Sequence, residues 1–296
     1  MHPLRVKFEQ ELRIRGRAER TIHAYVTRVR ELSQYYGGRS PEKISDEEVR
    51  AWLHHLIVGR RLAGSSVNVA VNAVRAFFTL ALGREAADVG RGLPRTKRAV
   101  TRALVYATGE ITALLTAPAR ARDRALLAVT YACGLRLLEA ARLRVGDLDT
   151  ARGQLRVQRG KGNKPRVLPL SPALLELLRE YWRAERSHRA EPADVLPAER
   201  WLFVGHDPAR PLHVSAVQQI YARAIRTAGI KRKGGIHTLR HSFATHALEA
   251  GAPITQVQQW LGHTSLLTTA RYLHVTAGRI DPADLPLGLI TLAATR

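Results

Sequence analysis

A basic stretch at residues 83–103 constrains the fold most, because it interrupts the helical pattern of the sequence and divides the chain in two. It carries Gly83, Gly90, Gly92 and Pro94 among clustered arginines and lysines, without an apolar period. This composition is typical of a linker. We therefore predict a helical domain at residues 1–85, a basic linker at 86–103 and a second domain at 104–296. A chain of 296 residues is long enough for two separate cores.

The first domain has helical patterning throughout. We predict helices at residues 20–36, 45–58 and 65–80, with Ser45 and Glu48 forming a capping box at the start of the second. The N-terminal segment lacks the apolar region of a secretory signal and is predicted to begin a helix. In the third helix, apolar residues recur at helical spacing, at Val67, Val71, Val74 and Phe78. These patterns predict a small helical bundle with a cationic face.

The second domain mixes helices with a small sheet. Helical patterns begin at Thr108, Arg122 and Leu137 and occupy most of the chain after residue 211. Two short strands, at residues 154–157 and 166–168, are joined by RGKGNKP, whose glycines, Asn and Pro favour a hairpin. An amphipathic helix at 171–186, an irregular stretch at 191–211 and a short strand at 201–204 are also predicted. The sequence thus predicts a mainly α fold, with a helical N-terminal domain and an α+β second domain containing a small antiparallel sheet.

The charge of the chain indicates a polyanionic partner. The sequence has 47 Lys and Arg against 25 Asp and Glu, a formal charge of +22 and a pI of about 11.2. The basic residues extend from Arg5 to Arg296, so a folded cationic surface is favoured over a basic tail. The single cysteine, Cys133, excludes an internal disulfide, and no apolar run is long enough to span a bilayer. We expect a cytoplasmic, nucleoid-associated protein without a membrane partner.

One group of residues near the end of the chain indicates phosphodiester chemistry. His237-Thr-Leu-Arg240 precedes Leu261-Gly-His263 and then Tyr272, which supplies a hydroxyl nucleophile beside basic groups. Arg136 and Lys161 add cations of the kind that stabilise a phosphodiester transition state. The predicted catalytic residues are Arg136, Lys161, His237, Arg240, His263 and Tyr272. Together they favour a chain that cuts and rejoins nucleic acid.

Each of these residues also has a simpler interpretation. Arg136 could cap a helix or pair with Glu139, and Lys161 at a hairpin tip could be solvated. His263 could interact with a helix dipole. A lone Tyr272 could be a packed aromatic residue. His237 and Arg240, at i and i+3, would point to one place from a helix that begins near Thr238.

A metal site is the main alternative for the histidines. His237, His241 and His246 follow one another at intervals of four and five residues, but the third lies off the face shared by the first two. His241 and His246 fit better as packed or hydrogen-bonded residues within the helix. No acidic cluster accompanies them, as a two-metal nuclease would need. We therefore predict no metal site and no cofactor.

The motifs GLRLLEA, GKGNKPR, HTLRHSFATH, LGH and TTARYLHV together resemble those of the tyrosine recombinases, or phage-type integrases, especially the compact bacterial Xer-like members. The resemblance covers nearly the whole chain, in the order and spacing of that family. The N-terminal helices resemble its core-binding domain more loosely. It implies a core-binding domain followed by a catalytic domain with a C-terminal docking tail.

The resemblance also implies a mechanism. Tyr272 would attack the scissile phosphate and form a 3′-phosphotyrosyl link, while Lys161 protonates the leaving 5′-oxygen. Arg136 and Arg240 would bind the nonbridging oxygens, His237 would handle the proton at the nucleophile, and His263 would hydrogen-bond the phosphate. Glu139 would act as a structural partner. Lys164 and Arg166, near Lys161 in the hairpin, are predicted to contact DNA.

These expectations describe a site-specific recombinase acting on double-stranded DNA as a homotetramer, with a second recombinase as a further option for the assembly. The tail after Tyr272 would dock on a neighbouring protomer or, alternatively, on its own domain. Two other functions stay open. One is a DNA-binding accessory protein that has kept the fold without strand exchange. The other is a monomeric type IB topoisomerase-like enzyme, which would act without a paired site.

Overall fold

The computed structural model describes residues 3–85, 93, 103–158, 165–186, 196–232, 234–270 and 272. The chain forms two compact units, residues 1–101 and 102–296. Most of the expected linker at 86–103, the hairpin tip with Lys161 and Lys164, and the expected docking tail after Tyr272 lie outside the described residues. The predicted mainly α fold with a small antiparallel sheet is confirmed.

The first unit is a bundle of amphipathic helices: α1 (Pro3–Ile14), α2 (Glu19–Tyr35), α3 (Asp46–Val58) and α4 (Gly64–Leu80). The predicted capping box is present, because the Ser45 hydroxyl accepts from the Glu48 N–H and the Glu48 carboxylate accepts from the Ser45 N–H. The helices enclose an apolar core that includes Leu32, Trp52 and Phe78. Burial of this apolar face stabilises the bundle.

The second unit is mainly helical as well. Within the described residues, its α-helices are α5 (Thr108–Thr116), α6 (Ala121–Ala132), α7 (Leu137–Ala141), α8 (Pro172–Tyr181), α9 (Val214–Thr227), α10 (His237–Glu249), α11 (Ile254–Leu261) and α12 (Leu266–Ala270). Short 3₁₀ turns occur at Pro41–Lys43 in the first unit and at Val145–Asp147 and Pro197–Glu199 in the second, and one π turn spans Trp182–Arg186. The core of this unit includes Leu126, Phe203 and Leu239.

A three-stranded antiparallel sheet packs into this second unit. Its strands, β1 (Leu148–Asp149), β2 (Gln154–Val157) and β3 (Arg166–Pro169), pair in the order β1-β2-β3. The two predicted strands are confirmed as β2 and β3, and Leu155 pairs with Leu168. The short β1 was not predicted. Isolated bridges at Trp201 and Val204 replace the strand expected at 201–204.

None of the helices in the described part of the chain is long and apolar enough to cross a membrane.

Candidate active site

A glycine turn brings the first predicted arginine into the site. Helix α6 ends at Ala132, and Gly134 follows with φ of 54°, a conformation that favours glycine. A Cβ at this position would also overlap the ring of Phe243 on α10. The turn therefore lets α6 pack closely on α10 and places Arg136 at the start of α7.

Arg240 lies under this turn, on the first part of α10, and only 5% of the residue is exposed. Its Nη1 donates to the Gly134 carbonyl at 2.7 Å, and its Nη2 donates to the Leu261 carbonyl. Burial and the charge of Arg136 lower the Arg240 pKa to about 9, so the guanidinium stays protonated at neutral pH. Its position is therefore set by two backbone carbonyls, one from each neighbouring segment.

Arg136 contacts the same loop. Its Nη2 donates to the Gly262 carbonyl at 3.3 Å, and its Nη1 donates to Oε1 of Glu139 at 2.9 Å. The guanidinium groups of Arg136 and Arg240 thus bind consecutive carbonyls, those of Leu261 and Gly262. Part of the Arg136 side chain, 22%, is exposed to solvent.

The loop bound by the two arginines also presents a histidine. Helix α11 ends at Gly262, whose φ of 61° is typical of a left-handed helix cap. His263 follows directly, and its Nδ1 shares a hydrogen bond of 2.9 Å with the Thr269 hydroxyl. The loop therefore binds the guanidinium groups of Arg136 and Arg240 and itself carries the His263 imidazole.

His237 begins α10 one helical turn before Arg240, as the spacing predicted. The residue is exposed at the surface. Partial desolvation of its ring, followed by the charges of Arg240 and Arg136, lowers the His237 pKa. A neutral imidazole is thereby favoured at neutral pH, and a neutral imidazole can accept a proton.

Tyr272 is buried, with only 2% of the residue exposed, in an apolar cluster with Ala244, Val257 and Leu261. Its hydroxyl shares a hydrogen bond of 2.7 Å with Nδ1 of His241. From its position in the sequence, His241 is expected to pack or hydrogen-bond within its own helix, so the contact with Tyr272 is not predicted. Its signal in the sequence is weak, because only the tertiary fold brings these two residues together.

Two histidines of α10 form hydrogen bonds with different tyrosines. His241 binds Tyr272, and Nδ1 of His246 shares a hydrogen bond of 2.8 Å with the Tyr131 hydroxyl. Among the residues that the structure describes, no three His, Cys, Asp or Glu side chains are arranged to hold a metal ion.

Arg166, predicted as a DNA contact, points into the protein at the start of β3. Only 7% of its side chain is exposed, and Nη1 and Nη2 donate to the two carboxylate oxygens of Glu139 at 2.9 and 2.7 Å. This placement does not favour the predicted DNA contact, because the guanidinium is already held by a buried carboxylate. Lys161 and Lys164 lie outside the described residues, so their roles stay predictions.

Glu139 is the acidic centre of the site. Burial alone would raise its pKa, but hydrogen bonds and charges from Arg166 and Arg136 outweigh this effect and lower the pKa to about 2. The carboxylate also accepts from the Arg136 N–H at 2.7 Å, which caps the start of α7. Glu139 is therefore ionised at neutral pH and hydrogen-bonded to Arg136 and Arg166. These contacts favour a structural role for this carboxylate.

Comparison with known proteins places this arrangement in a family. Residues 105–279 match the Phage integrase family, and residues 4–88 match the phage integrase N-terminal SAM-like domain. A putative integrase/recombinase of Sinorhizobium fredii is 34% identical over 292 residues, covering 98% of this chain and 90% of the relative. The tyrosine recombinase XerD of Halalkalibacterium halodurans is 32% identical over 279 residues, covering 90% of each chain.

Solved structures share the fold. A lambda integrase tetramer bound to a Holliday junction aligns with a TM-score of 0.72 at 17% identity, over 92% of this chain and 76% of that one. The XerH site-specific recombinase, in a post-cleavage complex with its difH substrate, aligns with a TM-score of 0.69 at 22% identity, over 90% and 79%. Since the family match spans more than half of the chain and the relatives cover nearly all of it, the chain belongs to the phage integrase family and is a tyrosine-type site-specific recombinase.

Proposed function

We propose that the protein cleaves and rejoins DNA strands through a covalent 3′-phosphotyrosyl intermediate on Tyr272, without a metal ion or ATP. One observation carries the proposal. The guanidinium groups of Arg136 and Arg240 bind consecutive carbonyls immediately before His263, so two cations and an imidazole share one loop. Such a loop suits a phosphate that gains negative charge in the transition state.

The reaction conserves the number of phosphodiester bonds. The Tyr272 oxygen bonds to the scissile phosphorus as the bond to the 5′-oxygen breaks, which leaves a 3′-phosphotyrosyl link and a 5′-hydroxyl. Lys161 donates the proton that the leaving 5′-oxygen needs. Attack by the 5′-hydroxyl of a partner strand then reverses the step and releases Tyr272. Because the tyrosyl ester keeps the bond energy, rejoining needs no ATP.

The remaining residues handle charge and protons. Two of the five N–H donors of Arg240 bind carbonyls, and a remaining N–H donates to a nonbridging oxygen. Arg136, whose side chain is partly exposed, binds a nonbridging oxygen as well, and His263 hydrogen-bonds the phosphate. His237, whose lowered pKa favours the neutral ring, accepts the proton that Tyr272 loses.

Tyr272 must leave its pocket before it can attack. The Tyr272 hydroxyl is hydrogen-bonded to His241 and the residue is almost fully buried, so a phosphate cannot reach the hydroxyl directly. We propose that the segment carrying Tyr272 shifts when DNA binds. The hydrogen bond to His241 is one of the interactions that this shift breaks.

We further propose that the protein acts as a homotetramer on double-stranded recombination sites, in DNA integration, excision or dimer resolution. The likeness to lambda integrase, solved as a tetramer on a Holliday junction, supports this assembly. The formal charge of +22 supports a DNA partner, and a DNA partner in turn supports a nucleoid location in the cytoplasm.

Covalent capture in cells tests the function. Tagged protein is isolated under denaturing conditions, and the attached DNA is sequenced, with Tyr272→Phe as the control. We expect DNA from a small set of sites with the unaltered protein and none with the variant. Attached DNA spread evenly over the genome would favour a topoisomerase-like enzyme. No attached DNA with either protein would favour a catalytically silent DNA-binding protein.

A further inference from the structure

Three arginines bind three consecutive carbonyls at the C-terminal end of α11. Arg166 Nε donates to Trp260 at 2.7 Å, Arg240 Nη2 donates to Leu261, and Arg136 Nη2 donates to Gly262 at 3.3 Å. These carbonyls lie at the negative end of the helix dipole, which favours cations. Arg136 and Arg240 have roles in the proposed reaction, whereas Arg166 was predicted from the sequence to contact DNA.

All three nitrogen atoms of the Arg166 guanidinium are used within the protein. Besides Trp260, they bind both oxygens of Glu139 in a bidentate pair. Its side-chain carbons also lie against Gly262, since a Cβ added to that glycine would lie 3.2 Å from Cδ of Arg166. Arg166 therefore links β3, the start of α7 and the end of α11, which are the segments that present Arg136 and His263.

The charges in this cluster depend on Arg166. Glu139 forms salt bridges with both Arg136 and Arg166. Its side chain is buried, with 5% exposed. One carboxylate can neutralise one guanidinium. With Arg166 present, the positive charge of Arg136 stays available to a phosphate, whereas without it Glu139 would neutralise Arg136 alone.

We propose that Arg166 is a positioning residue for strand cleavage: it balances the charge of Glu139 and holds the loop before His263, so that Arg136 faces the scissile phosphate with its full charge. This inference rests on the proposed function. It replaces the direct DNA contact that the sequence suggested for Arg166. The two roles make opposite predictions for binding and for chemistry.

Kinetics of Arg166→Met separate the two roles. The probe is a nicked duplex cut from the DNA recovered by covalent capture, and the measurements are its Kd and the rate of covalent attachment at saturating DNA. A positioning role predicts an unchanged Kd and a rate lowered about 100-fold, because a small misplacement of a catalytic group has an effect of that size. A DNA contact predicts a higher Kd and an unchanged rate at saturating DNA. It also predicts that the slope of the logarithm of the binding constant against the logarithm of the salt concentration falls by about 1.

Two further variants keep the test valid if Arg166→Met is unstable. Arg166→Lys retains the charge but cannot make the bidentate pair, so we expect it to recover part of the rate. Arg156→Met is the matched control, because Arg156 lies on the neighbouring strand β2 and pairs with Asp149 at the surface. We expect the control to cleave at the original rate at saturating DNA. Equal rates for the Lys and Met variants would contradict the charge-balancing role.

The double variant Arg166→Met, Glu139→Gln gives the most specific result. Removing both charges restores the net charge around Arg136 and Arg240, so we expect cleavage at least about tenfold faster than in Arg166→Met alone. A double variant as slow as the single one, or slower, would overturn the proposal. If the unaltered protein forms no covalent attachment in the same assay, the proposed function fails, and that result is distinct from a failure confined to the Arg166 variants.

Discussion

Two groups of arginines, one from each unit of this protein, differ in how their charge is held. In the first unit, Arg5 and Arg13 pair with glutamates at the surface, with 49% and 51% of their side chains exposed. In the second unit, Arg166 and Arg240 are buried and bound to backbone carbonyls, and Arg166 also binds a buried carboxylate. The same residue type therefore provides a solvated charge on the surface of α1 and a fixed charge in the candidate active site.

The difference teaches where to look for function in a basic chain. An exposed ion pair contributes little to stability, because water and salt screen it. A buried charge costs free energy unless hydrogen bonds replace its water, so it is retained where its position matters. In this chain, the number of arginines indicates a polyanionic partner, whereas Arg166 and Arg240 owe their fixed positions in the candidate active site to buried hydrogen bonds.

Arg240→Met should have the largest effect. The substitution removes a cation from the phosphate site and leaves the carbonyls of Gly134 and Leu261 without a buried donor. We expect covalent attachment to slow about 1000-fold and the free energy of unfolding to fall by about 2 kcal/mol or more. Rates at saturating DNA and chemical denaturation measure the two effects. A variant that cleaves within about tenfold of the original rate would remove Arg240 from the site.

Acid denaturation tests the buried carboxylate. The Glu139 pKa is about 2 in the folded protein, against about 4.3 for an ordinary glutamate. The stability from this group is therefore complete above about pH 4.5 and is lost as the pH falls toward 2. The loss is on the order of 3 kcal/mol. Denaturant titrations at several pH values should show a shallower fall for Glu139→Gln. If the free energy of unfolding fell equally steeply with decreasing pH in both proteins, Glu139 would not be stabilised by buried ion pairs.

Ser45→Ala tests the first unit, where stability comes from apolar packing and local caps. Its hydroxyl accepts from the Glu48 N–H at the start of α3. Loss of such a cap costs about 1 kcal/mol. We expect a lower free energy of unfolding with the same rate of covalent attachment at saturating DNA. A slowed rate would show that the two units are coupled in catalysis.

Arg5→Met should have the smallest effect and serves as the surface counterpart of Arg240→Met. The Arg5–Glu9 pair lies on the exposed face of α1, at i and i+4. We expect a change below about 0.5 kcal/mol in the free energy of unfolding, and less in high salt. A change as large as that of Arg240→Met would remove the contrast between surface and buried arginines.

Local signals in the sequence predicted the helices well. Capping residues and apolar periods act over a few residues, so the Ser45 cap, the helix that carries His237 and Arg240, and the β2–β3 pairing could all be predicted. The two-residue strand β1 could not, because its pairing depends on β2 and leaves almost no pattern of its own.

Contacts between distant segments could not be predicted from the sequence. Arg166 begins a strand close to Lys161 in the sequence and was predicted to contact DNA, whereas the fold pairs it with Glu139. The hydrogen bond between His241 and Tyr272 depends in the same way on how the end of the chain packs on α10. Residue type and spacing can identify the participants, but only the tertiary structure shows which side chains they contact.

The identity of the nucleophile is the central claim, and mass spectrometry of the covalent complex tests it most directly. Purified protein is reacted with the captured site as a nicked duplex, and the product is digested with nuclease and protease. We predict a nucleotide remnant on the peptide that contains Tyr272, fragmentation that places it on the tyrosine oxygen, and no remnant with Tyr272→Phe. A remnant on another residue, or cleaved DNA with free ends and no modified peptide, would contradict the mechanism.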